Sequence, residues 1–124
     1  MAVPQSKILY VEDDSQILES GSSLLIQNGY EVSTASTLTK ALRLFRSFPF
    51  DLLVIGRSVN PRERAALAAI SKRINPKANV LVMVHENEKQ PLADGWITSY
   101  TDSDILNAVA ALLSKPDRAS ATAA

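Results

Sequence analysis

Short apolar runs alternate along this chain with stretches whose apolar residues recur at helical spacing, and few folds accept that alternation. Lys7-Ile-Leu-Tyr-Val11 is rich in β-forming residues and ends at an acidic cluster, Glu12-Asp13-Asp14. That pattern predicts a buried parallel strand running into a polar loop. Asp51-Leu-Leu-Val-Ile55 and Val80-Leu-Val-Met-Val84 repeat it, and the first of these is apolar enough to be central and covered on both faces. Tyr30–Ser33 and Trp96–Thr98 read as weaker strands.

Helices fill the intervals. Ser15 or Asp14 caps the first, with Ile17, Leu18, Leu24 and Leu25 on its apolar side and a stop at Asn28-Gly29. Ser36 or Thr37 caps a second, carrying Leu38, Ala41, Leu42 and Phe45. Pro61 suits the first position of a third, which runs to about Ile74 before Asn75-Pro76 breaks it. Thr101 or Asp102 caps the last, with Ile105, Leu106, Val109, Leu112 and Leu113 at helical spacing. His85 to Gly95 contains Pro91 and has no helical stripe. This order implies an α/β fold, a parallel sheet wrapped on both faces by right-handed crossovers. Such sheets build their sites at the carboxyl ends of the strands. The loops of interest are therefore Glu12 to Ser15, Gly56 to Pro61, and His85 onward.

The chain has 124 residues, enough for one domain with its own core. We read residues 1–6 as an N-terminal extension, 7–113 as the domain, and 114–124, small and polar, as a flexible tail or the start of a linker. Thirteen basic and thirteen acidic side chains cancel, so no strong field gathers nucleic acid or an anionic membrane. Cysteine is absent, which removes disulfides, thiolate metal sites and a cysteine nucleophile and fits a reducing cytoplasm. The N-terminus has no signal-peptide h-region, and apolar runs of about five residues fall far short of the roughly 20 that span a bilayer. A cytoplasmic protein is the expectation.

Lys7-Ile-Leu-Tyr-Val-Glu-Asp-Asp14, a helix, Gly29-Tyr-Glu-Val, then Phe50-Asp-Leu-Leu-Val-Ile55 resembles the receiver domain of two-component response regulators. The likeness covers about Lys7 to Leu113 and is stronger before Ile55 than after it. It implies a flavodoxin-like three-layer sandwich with a five-stranded parallel sheet of order 2-1-3-4-5. In that family an acidic pair after the first strand binds Mg²⁺, and an aspartate after the third accepts a phosphoryl group from a histidine kinase. A Thr or Ser after the fourth strand and a Lys after the fifth respond to it.

Glu12 and Asp13 match the acidic pair, and Asp51 matches the lead-in of the third-strand motif. The phosphoacceptor position is Gly56, which has no side chain to form an acyl phosphate, and no Asp or Glu lies between Leu52 and Arg62. The Thr/Ser switch position falls on Val84 or His85. The lysine position falls on Thr98 or Ser99, and Tyr100 stands where a proline usually follows. His85 to Gly95 is too short for the usual fourth helix and its loops, so that helix is expected to be shortened or missing. The resemblance with these departures implies a pseudo-receiver: a module independent of phosphorylation that binds another signalling protein or itself. No catalytic residue and no enzyme activity are expected. Mg²⁺ binding at Glu12 and Asp13 is expected to be absent or weak, since hard cations want several oxygen ligands.

Two alternatives stay open: phosphorylation at an atypical residue such as Asp13, Asp14 or His85, and small-ligand sensing in a pocket vacated above Gly56. Single residues carry further readings. Arg57, Arg62 and Arg64 lie beside the empty position, where one could pair with Glu12 or Asp13 in place of the cation. Trp96 is either an interface anchor or core, and Tyr100 is an interface candidate. His85, the lone histidine, reads mainly as a polar loop residue.

Overall fold

The computed structural model describes residues 6–85 and 93–114. Nine elements follow in chain order: β1 (Lys7–Val11), α1 (Ser15–Gln27), β2 (Glu31–Ala35), α2 (Leu38–Ser47), β3 (Leu52–Ile55), α3 (Pro61–Ile74), β4 (Asn79–Met83), β5 (Gly95–Ile97) and α4 (Asp102–Leu113). The strands form one parallel sheet in the order β2-β1-β3-β4-β5, as the resemblance implied.

Period-two alternation divides the core between the faces of the sheet. Leu9, Val11, Leu53, Ile55, Val80 and Val82 point toward Ala41 and Phe45 of α2 and Leu67 and Ala68 of α3. Ile8, Tyr10, Leu52, Val54, Leu81 and Met83 point the other way, toward Leu25 of α1 and Ile105, Val109 and Leu112 of α4. β3 is buried at every position, which explains its unbroken apolar run.

The helix ends follow local chemistry. Asp14 is the N-cap of α1, its Oδ1 accepting from the N–H groups of Gln16 and Ile17. Thr37 caps α2, Asn60 caps α3 ahead of Pro61, and Thr101 caps α4. Gly29 turns the chain after α1 at φ +91°, a region open to glycine. Asp51 clamps the amino end of the sheet: its Oδ2 accepts from Lys7 N–H at 2.8 Å and its own N–H donates to Lys7 C=O at 2.8 Å.

Four strands differ in extent from the sequence reading, and of these β3 begins at Leu52, one residue after Asp51. β2 runs two residues beyond Ser33 because it pairs with β1 along its whole length, Lys7 opposite Glu31 and Val11 opposite Ala35. β4 and β5 each begin one residue earlier, where Asn79 pairs with Leu52 and Gly95 with Leu81. Met83 and Gly95 bound the last crossover, and the described residues hold four helices. The reading of a shortened or missing helix there falls on 86–92, outside the described residues, as do residues 1–5 of the extension and 115–124 of the tail.

Candidate functional site

The carboxyl ends of β1 and β3 are adjacent. Gly56 N–H donates to Val11 C=O at 2.7 Å, and Glu12 N–H donates to Ala35 C=O at 3.1 Å. Both residues prolong their strands by one step, which sets Glu12 directly beside Gly56. The Glu12 side chain lies flat over the glycine and is fully buried. A Cβ on residue 56 would stand 1.9 Å from Glu12 Oε2, 2.6 Å from its Cδ and 3.1 Å from its Cβ. Glu12 Oε1 accepts from Asp14 N–H at 3.1 Å, while Oε2 has no hydrogen-bond partner among the described residues. The space above Gly56 is therefore not a vacated pocket: a carboxylate fills it, and a ligand seated there would have to displace Glu12.

Asp13 does not join Glu12. It is exposed and lines a shallow depression with Ser36, Thr37, Val59 and Glu63 on the α2–α3 side of the sheet. The two acids that read as a pair thus diverge, because successive residues leaving a strand face opposite sides. Among the described residues no group of three or more His, Cys, Asp and Glu could hold a metal. One buried, half-bonded carboxylate and one divergent surface carboxylate do not fit a hard cation that wants several oxygens.

The arginines do not replace the cation. Among the described residues none forms an ion pair with Glu12 or Asp13; the ion pair present is Lys72 with Asp94, at the amino end of β4. Arg64 is buried beneath α3, with Nη1 donating to Met83 C=O at 3.0 Å. Arg57 turns toward β5 and lays its Cζ 4.5 Å over the ring of Tyr100. Arg62 is exposed on the first turn of α3.

Of the four residues read as candidate switch positions, Val84 and Ser99 make contacts within the fold and His85 and Thr98 are not buried. Val84 is buried; its N–H donates to Ile97 C=O at 2.9 Å, and its carbonyl accepts from the Tyr100 hydroxyl. His85, one step on, is exposed, as is Thr98. Ser99 belongs to the entry of α4: its Oγ donates to Asp104 Oδ2 at 2.5 Å, beside Thr101 Oγ1 at 2.7 Å. These hydroxyls, Ser99 first, hold the Asp104 carboxyl below its ordinary 3.8. A lowered folded-state value stabilises the fold at pH above 3.8, and that contribution fades as the pH falls from 3.8 toward the folded-state value. Asp104→Asn removes it, so the melting-temperature difference between wild type and variant should narrow on acidification below pH 3.8. A constant difference across that range would dismiss the assignment.

Trp96 lies on the edge strand and is 44% exposed, so it is not a core residue. Tyr100 is half-buried and packs against the α1–α4 face of the core. Tyr10 is a further residue of this region. It occupies the middle of β1, its hydroxyl is buried without a hydrogen-bond partner, and burial followed by the charge of Glu12 pushes its phenol up to about 12.

The architecture matches solved structures closely. A CheY-like response regulator receiver domain protein from Methanospirillum hungatei JF-1 superposes with a TM-score of 0.79 at 23% identity, over 89% of this chain and 94% of that one. The chemotaxis response regulator CheY4 of Vibrio cholerae gives 0.79 at 20% identity, over 88% and 99%. Response regulator TrrA from Thermotoga maritima, solved in complex with Mg²⁺ and BeF, gives 0.75 at 22% identity, over 88% and 99%. No family model and no curated protein matches the chain. At such identities the likeness establishes the fold, which is that of response regulator receiver domains.

Proposed function

We propose that this chain is a receiver-fold module of a two-component or phosphorelay system that works without being phosphorylated itself. It acts in the cytoplasm by binding a signalling protein or a second copy of itself, and it catalyses no reaction. The observation that carries this reading is the Glu12 carboxylate lying over Gly56, in the volume where an acceptor side chain would stand. A phosphoryl group brought there would meet a buried negative charge and no nucleophile on residue 56. The engagement of the Ser99 hydroxyl by Asp104 supports the same reading. So does Trp96, a large apolar side chain open to a partner on an edge strand. Among the described residues no helix is long and apolar enough to cross a membrane.

Addition of acetyl phosphate, or of beryllofluoride with Mg²⁺, should leave the amide NMR spectrum unchanged and add no phosphoryl mass. A saturable shift around Glu12 and Gly56 would overturn the proposal. A phosphoryl group mapped to Asp13, Asp14 or His85 would replace it with the atypical-acceptor reading.

A further inference from the structure

On the α1–α4 side of the sheet, beside the Glu12–Gly56 contact but separate from it, lies a cleft of about 330 Å³. Ile17 and Leu24 of α1, Ile105 of α4 and Met83 of β4 line it with apolar side chains, and Gln16 and Ser20 of α1 add polar ones. Tyr10 and Arg57 line it as well. This is the size and mixed lining of a small-molecule site, apolar with a few convergent polar groups.

Two polar groups here have unused capacity. The Tyr10 hydroxyl is buried and makes no hydrogen bond, an arrangement that costs free energy unless something supplies a partner. Its high proton affinity keeps it a donor at neutral pH. Arg57 stacks one face on Tyr100, and among the described residues no acceptor meets its N–H edges. Stacking orients a guanidinium while leaving those edges for a planar acceptor. Arg57 is the cation of this lining and Asp102 its anion, and the Glu12 charge also reaches Tyr10, so a second negative charge on a ligand is opposed.

We propose that this cleft binds a small organic monocarboxylate with an apolar body, its carboxylate held between Arg57 and the Tyr10 hydroxyl and its body between α1 and α4. Phosphate fits less well, because its second charge faces Asp102 and it offers the apolar walls nothing. The site is also linked to the strand ends: Arg57 rests on Tyr100, whose hydroxyl holds the Val84 carbonyl. The proposal is independent of whether the chain is phosphorylated.

The test is titration of the full chain with hydrocinnamate, a phenyl ring on a short carboxylate tail, followed by amide NMR. Saturable shifts are expected at Gly21, Arg57, Met83 and Ile105. Arg57→Gln should weaken binding about tenfold, and Tyr10→Phe a few-fold, with the folded spectrum kept. Hydrocinnamamide and inorganic phosphate should bind more weakly than hydrocinnamate. The proposal fails if hydrocinnamate gives no saturable shift up to about 10 mM, or if the shifts lie elsewhere. It also fails if Arg57→Gln binds as well as wild type, or if phosphate or the amide equals the carboxylate.

Discussion

Gly56→Asp, the substitution that returns an acceptor carboxylate to this fold, should destabilise the protein by about 3 kcal/mol and leave it without a phosphorylation response. The new Cβ would stand 1.9 Å from Glu12 Oε2 and 3.1 Å from Glu12 Cβ. Swinging the end of the Glu12 side chain away relieves the first contact and not the second. The added carboxyl would then share a buried site with another carboxyl, so one must take up a proton or leave. Glu12→Ala alone should change stability by no more than about 1 kcal/mol. It leaves a small cavity but removes a buried carboxylate with an unpartnered oxygen. In that background Gly56→Asp should cost far less, with a coupling of about 2 kcal/mol measured by urea unfolding of the four proteins. Additive costs would show that Glu12 does not occupy the acceptor space. Even the double variant should respond poorly to beryllofluoride, since the positions that the resemblance gives to the Thr/Ser switch and the lysine hold Val84 or His85 and Thr98 or Ser99.

The sheet was legible in the sequence because its signals are local. Each apolar run reports its own burial, and Asn28-Gly29, Pro61 and Asn75-Pro76 mark helix ends without help from distant residues. Gly56 was legible as the residue at the position where the resemblance expects an acceptor. What replaces it was not, because the approach of Glu12 to Gly56 depends on the pairing of two strands far apart in the chain. The arginine expectation failed on direction. Arg57, Arg62 and Arg64 are close in sequence to the site, but one helix turn and one loop send them to Tyr100, to solvent and to Met83 C=O. Tyr10 looked like an ordinary β-former. The signal that marks it is on another element: Gly21, in the interior of a thirteen-residue helix, where glycine is unfavourable unless packing demands it.

Gly21→Ala should therefore destabilise the protein by about 2 kcal/mol, against the sign that helix propensity gives. Propensity alone favours alanine over glycine in a helix interior by about 1 kcal/mol. Here a Cβ would lie 2.3 Å from Tyr10 Cε2 and 2.7 Å from its hydroxyl oxygen. The ring is buried between α1 and the sheet and cannot step aside as a surface side chain would. Overpacking of this kind costs about 1–3 kcal/mol and occasionally more, so it outweighs the propensity gain. The partner is identified by which second change rescues. Tyr10→Phe keeps Cε2 and should not rescue Gly21→Ala, whereas Tyr10→Leu removes the ring edge and should recover most of the loss. Chemical denaturation of the single and double variants reads this directly, and rescue by Phe would locate the conflict at the hydroxyl instead of the ring. The mid-helix glycine is thus tied to the tyrosine it admits, and through Tyr10 to the cleft between α1 and α4.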